Sequence, residues 1–244
     1  QQAKAERDRL TELIVASGAD HPLEGWDWRF YSEQLRQAEY DLDPATLQPY
    51  MQLENIRAAA FYVAGRLFDL TFTERTDIPV YHPDVRVFEV KTSAGAHVGL
   101  FYCDEFARPG KRSGAWMSNL RPQSTLDGPV TAHVTNNLNL SKPPQGKPAT
   151  ISVTEAETLF HELGHALHGL LSDVRYPSLS GTAVPRDYVE FMAQFMEHYV
   201  TQTAILEQFA RHGETGEPMP AELRERFIAA TRFNQGFATS EFLA

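Results

Sequence analysis

Three residues in one short stretch could do chemistry together: His161, Glu162 and His165, in the pattern H-E-x-x-H. On a helix, two histidines four residues apart share a face, about one turn of rise between them. Both imidazoles then reach one metal ion, and Glu162 borders the same coordination sphere. The pattern implies one zinc ion that activates a water, with Glu162 as general base for hydrolysis of a peptide bond.

A catalytic zinc takes three protein ligands and keeps the fourth position for water. The best candidate for the third is Glu190, 25 residues after His165. If its segment is helical, Asp187, Glu190, Gln194 and Glu197 fall on one face. A charged row on a helix is ordinarily a solvated face. Here the opposite side carries Val189, Met192, Phe195, Met196 and Tyr199, so the row is narrow and reads as a lined site. A second helix packed antiparallel on the first would aim it at the histidines. His168 reads as a packing or hydrogen-bonding residue rather than a ligand. Gln194 and Glu197 are candidates to orient the histidines from behind. Cys103 reads as a small buried hydrophobe, and His133 as a strand residue with no metal role.

These residues need elements to hold them. Thr154 and Glu157 match a capping box and predict the start of the H-E-x-x-H helix. Pro185 suits the first turn of a further long helix reaching about Phe209. Upstream, helical spacing covers residues 1–17, 23–40 and 46–69, and later 221–233, with another helix starting at Thr239 or Ser240. In the middle the period changes to two. Residues 85–90 and 98–102 alternate around a turn at Gly95 and predict a β-hairpin. A third strand is expected over 130–138, and 149–153 is a short fourth strand or an extended lead-in. The expected fold is mainly α, zincin-like, with a small central β-sheet. Its regions are helical 1–76, a sheet and loop at 77–153, and a helical zinc-binding region at 154–244, all in one continuous domain.

The 244 residues allow a sizeable core, and 42% hydrophobic content with 11% aromatic residues is globular. A net charge of −10 with dispersed basic residues argues against a nucleic-acid partner. The single cysteine permits no disulfide framework and no cysteine-based metal site. No apolar run approaches a membrane span. The N-terminus is charged, with no signal-peptide pattern. A cytoplasmic location is expected, with the periplasm kept open.

The residues from His161 to Gly169, with Ser180-Gly-Thr182 and Asp187-Tyr-Val-Glu190, resemble the thimet oligopeptidase family of zinc peptidases. So do Tyr50–Asn55, His82–Val90 and Arg108–Trp116. Arg175–Thr182, Pro185–Phe191 and Glu197-His198 are most similar to the bacterial peptidyl-dipeptidases of the Dcp type. The resemblance implies ligand roles for His161, His165 and Glu190, the acid/base role for Glu162, and short peptides as substrates, cut to release C-terminal dipeptides. A general oligopeptidase of the same family is the alternative. One departure lies after Glu190, where the family has Pro-Ser-Gln and this chain has Met192-Ala-Gln194. The other is length: the family's substrate-binding Tyr and His groups, on a Gly-rich segment, have no counterpart after Glu190. The resemblance therefore implies an internal catalytic fragment, and a zinc-binding but catalytically impaired chain is the third reading.

Overall fold

The computed structural model describes residues 1–243. Its helices are α1 (Gln2–Ala16), α2 (Trp28–Tyr40), α3 (Pro44–Leu47), α4 (Leu53–Phe68), α5 (Val153–Leu170), α6 (Arg186–Val189), α7 (Phe191–Glu197), α8 (Thr203–Phe209), α9 (Ala221–Ala230) and α10 (Gln235–Leu243). Its strands are β1 (Leu70–Glu74), β2 (Arg86–Thr92), β3 (His97–Phe106), β4 (Trp116–Arg121) and β5 (Ala132–Leu140). Helix takes 45% of the chain and strand 18%. The fold is therefore mixed α/β, which corrects the expectation of a mainly α chain. The sheet is larger than alternation alone revealed.

The chain divides into two compact units. The larger, Leu47–Pro218, holds one five-stranded sheet in the order β1-β2-β3-β5-β4. The expected hairpin is β2–β3, antiparallel, with Phe88 opposite Phe101. β3 then pairs in parallel with β5, and β4 returns antiparallel on the outer side of β5. β5 has both neighbours and is buried along most of its length. Against the sheet lie α4 and α5. Phe61 of α4 stacks on Phe72 of β1 and meets Phe88 and Phe101 edge-on, giving this part of the core its aromatic centre.

β1 and β4 went unread in the sequence. Helical spacing runs straight through to Asp69, where the chain leaves α4 in the left-handed region (φ 57°) without the glycine that usually marks such a stop. β4 is an edge strand, half-buried at most, and shows no alternation. Residues 150–151 are an extended lead-in, with a bridge from Gln52 to Thr150 and a hydrogen bond from the Ile151 N–H to the Met51 carbonyl.

The loop from β3 to β4 is fastened by one carboxylate. Asp104 is 1% exposed and accepts from Arg108 (2.5 and 2.7 Å), Lys111 (2.9 Å) and Tyr81 (3.0 Å). Burial alone would raise its pKa; the hydrogen bonds from Arg108 and Lys111 outweigh this and hold it at about 2. A carboxyl depressed on folding stabilises the fold above its unfolded pKa and loses that contribution as pH falls. The melting temperature is thus expected to drop between about pH 4 and pH 2. Asp104→Asn should flatten that part of the profile, as followed by circular dichroism.

The second unit, Gln1–Thr46 with the segment from Met219 on, is helical. Leu10, Ile14, Trp28 and Tyr31 form its core, and Trp28 stacks on Phe237 at 4.2 Å. Glu6 accepts from the Gly236 and Phe237 N–H groups at the start of α10. α10 begins at Gln235, earlier than expected, and α9 ends at Ala230 rather than 233. Asn234, at φ 61°, turns the chain between them. Among the described residues, no helix is long and apolar enough to cross a membrane.

Candidate metal centre

α5 is capped by Ser152, two residues before the expected cap. Ser152 Oγ accepts from the Glu155 N–H (3.1 Å), and Glu155 Oε2 accepts from the Ser152 N–H (2.7 Å). Both S-x-x-E and T-x-x-E are present in the sequence. The earlier one wins because Ile151 is tied to Met51, which delivers Ser152 in extended backbone. Glu157 is thereby freed from capping. It is half-buried, and burial together with nearby Glu197 pushes its carboxyl up.

The expected long helix from Pro185 to Phe209 is instead three short ones, α6, α7 and α8. The first joint falls at Glu190. The second ends at Gln202, where extended backbone (ψ 131°) follows Val200 and Thr201. α7 packs on α5, and the pairing runs antiparallel: His161 meets Glu197, Gly164 meets Met192 and Ala193, and His165 meets Glu190. The approach at Gly164 is close. A Cβ there would lie 2.5 Å from the Met192 carbonyl oxygen and 2.6 Å from the Ala193 Cα. The departure from the family pattern at residues 192 and 193 therefore sits on this helix contact.

That contact brings Glu190 to the histidines. Its Oε2 is 3.2 Å from His161 Nε2 and 3.4 Å from His165 Nε2. One donor atom from each of the three residues lies within 4.8 Å of the others. The two rings stand nearly perpendicular, 4.8 Å apart. Ligands about 2.0–2.1 Å from a tetrahedral zinc are ~3.3 Å from one another, so the carboxylate–imidazole separations fit that ion without rearrangement. Behind His161, its Nδ1–H donates to Glu197 Oε1 at 2.5 Å. This fixes the tautomer that leaves Nε2 with a free lone pair.

Glu162 is 4% exposed, and its Oε2 is buried without a hydrogen-bond partner. Burial, opposed by His161 and assisted by Glu190, pushes its carboxyl up to about 7. Burial and then His161 push His165 down. Both shifts favour the uncharged forms, and the neutral imidazole is the form of His165 that can ligate a metal ion. His168 lies outside the cluster, its ring 6.1 Å from that of Tyr188, and burial lowers its pKa. Gln194 is exposed and bonds to neither histidine; of the four polar residues read as one row, only Glu190 and Glu197 reach them. Cys103 is buried, as expected, and His133 lies on β5 beside Arg121. Gly164 carried no signal of its role; only the partner helix gives it one.

Two imidazoles and a carboxylate around a common point, with a buried carboxyl alongside, define a candidate metal-dependent hydrolase site. The chain belongs to peptidase family M3, whose model matches residues 1–244. It is 46% identical over 241 residues to the dipeptidyl carboxypeptidase of Salmonella typhimurium, covering 98% of this chain and 35% of that protein. The Escherichia coli K12 dipeptidyl carboxypeptidase is 44% identical, with 100% and 36% covered. Oligopeptidase A of Salmonella typhimurium is 37% identical, with 95% and 35% covered. The chain thus spans about a third of the length of the curated relatives it matches.

Proposed function

We propose that the chain carries the metal centre of a zinc-dependent peptidase that releases C-terminal dipeptides from short peptides. The observation that carries this reading is the donor set of His161, His165 and Glu190, its atoms within 4.8 Å of one another and the carboxylate 3.2 and 3.4 Å from the two imidazoles. These three would hold the ion. When bound, zinc would polarise a water and the scissile carbonyl. Glu162 would take the proton of the attacking water and deliver it to the leaving amine nitrogen. Glu197 would hold the His161 ring in place throughout. β4, whose outer edge is unpaired in the sheet beside α5, offers backbone groups to an extended peptide.

The test is metal content with a peptide digest. The parent chain should bind one zinc, and His161→Ala or Glu190→Gln should lose it. Loss of a C-terminal dipeptide from free peptides, with no cleavage of the same peptides amidated at the C-terminus, marks the dipeptidyl mode. Cleavage of the amidated forms would favour an internal oligopeptidase, a reading that the oligopeptidase A similarity supports. Glu197→Gln should keep the fold and weaken zinc binding ~10–100-fold in chelator competition. Unchanged affinity would remove Glu197 from the centre.

A further inference from the structure

A narrow cavity lies among α4, α5, β3 and β5, on the sheet side of the metal-facing helix. Glu162, Asn136, Cys103, Arg57 and Glu105 supply its heteroatom-bearing lining, and the rest is aliphatic and aromatic. Its volume is ≈ 20 Å³. One water needs ~10–15 Å³ by that measure, together with polar partners.

Two of the lining residues bring an acceptor with nothing to accept. Glu162 Oε2 and Asn136 Oδ1 are both buried and lack a hydrogen-bond partner, on side chains from residues only 4% and 7% exposed. As a carboxylate, Glu162 cannot satisfy Asn136 Oδ1, nor can Asn136 Oδ1 satisfy it, and a bare buried acceptor is disfavoured. Arg57 is committed through Nη1, which donates to both oxygens of Glu105 at 2.8 and 2.6 Å; its buried Nη2 pairs with the Glu54 carboxylate and makes no hydrogen bond, and a water could accept from it. Cys103 keeps its proton, since burial raises the thiol pKa well above its ordinary value, and offers a weak S–H. A water has two protons to give and lone pairs to receive one. It is the smallest species that fits both the space and the unmet partners.

We propose that this cavity binds one ordered water that donates to Glu162 Oε2 and Asn136 Oδ1, making Asn136 a positioning residue for Glu162. Tied to the sheet by one oxygen, the carboxylate keeps its plane, and its other oxygen remains for proton exchange. The water itself does not depend on the peptidase reading; its catalytic meaning does.

Two measurements on the intact chain decide the matter without activity. A crystal structure of the unmodified protein should show a density peak within hydrogen-bond distance of both oxygens; an empty cavity overturns the proposal. In metal-free protein, the melting-temperature shifts of Asn136→Leu and Glu162→Leu should be non-additive, the double variant falling little below the worse single one. Additive shifts, with Asn136→Leu more stable than the parent, would mean a dry cavity and overturn it. Should the Leu variants fail to fold, the density peak alone decides. For an active enzyme, Asn136→Leu should lower kcat about tenfold, with KM and zinc content unchanged, as for loss of one orienting hydrogen bond. Loss of zinc in parallel would assign Asn136 a structural role instead. Full activity of Glu162→Gln would take the general-base role from Glu162, and with it the catalytic meaning of the water, while leaving the water in place.

Discussion

Glu162→Gln is expected to bind zinc as the parent chain does and to hydrolyse peptides ~10²–10⁴-fold more slowly, the usual worth of a positioned general base. The substitution is nearly isosteric, so the buried site keeps its packing. None of the three donor atoms at His161, His165 and Glu190 is touched. What is lost is the only function an amide cannot perform, acceptance of a proton. Burial already holds the Glu162 carboxyl at about 7, so it exchanges a proton near neutrality; a cation among the histidines would draw that value down. Stability should not suffer, since a neutral amide is easier to bury than a carboxylate. Turnover within a few-fold of the parent, at equal zinc content, would assign the base elsewhere.

Gly164→Ala should be the more damaging change to the metal centre, although it touches no donor atom. Helix propensity favours Ala over Gly by ~1 kcal/mol. Against that, the new Cβ would sit 2.5 Å from the Met192 carbonyl and 2.6 Å from the Ala193 Cα, both backbone atoms that cannot rotate away. Ordinary contact begins at 3.4 Å, so α7 must retreat by close to 1 Å. Metal–ligand distances tolerate ~0.2 Å, and Glu190 opens α7. Overpacking of this kind costs ~1–3 kcal/mol, which outweighs the propensity gain. The expected outcome is zinc affinity reduced by ~100-fold or more, since 1.4 kcal/mol is tenfold and both packing and ligation suffer. Gly25→Ala, where a Cβ meets nothing, is the control. Undiminished zinc binding by Gly164→Ala would show that α7 is not held at this contact.

The meeting of His161, His165 and Glu190 was legible because its signals are local. Two histidines at helical spacing need only a helix, and Glu190 needed only a second amphipathic segment with a narrow polar row. The family resemblance reached the same residues, and the chain proved to belong to that family. What stayed hidden depended on partners distant in sequence. The true cap at Ser152 was chosen by pairing with Met51, a hundred residues earlier. β1 follows an Asp in left-handed backbone, and the sequence carries no glycine there to announce the stop. The division of α6, α7 and α8 follows from tertiary packing over a segment whose apolar spacing suits one continuous helix. Asn136 looked like one polar residue in a strand; its unpartnered acceptor comes to notice only when α4 and α5 cover that face of the sheet.

The strand order has a consequence for how this molecule is made. β4 precedes β5 in the chain, yet its only partner in the sheet is β5, which lies between it and β3. During synthesis β4 therefore emerges with no strand to join. Its pairing is possible only once residues 132–140 have emerged. The rim beside α5 is thus the last part of the sheet that synthesis makes it possible to complete. Its place in the sheet depends on β5 alone, whereas β1, β2 and β3 pair among themselves as a meander.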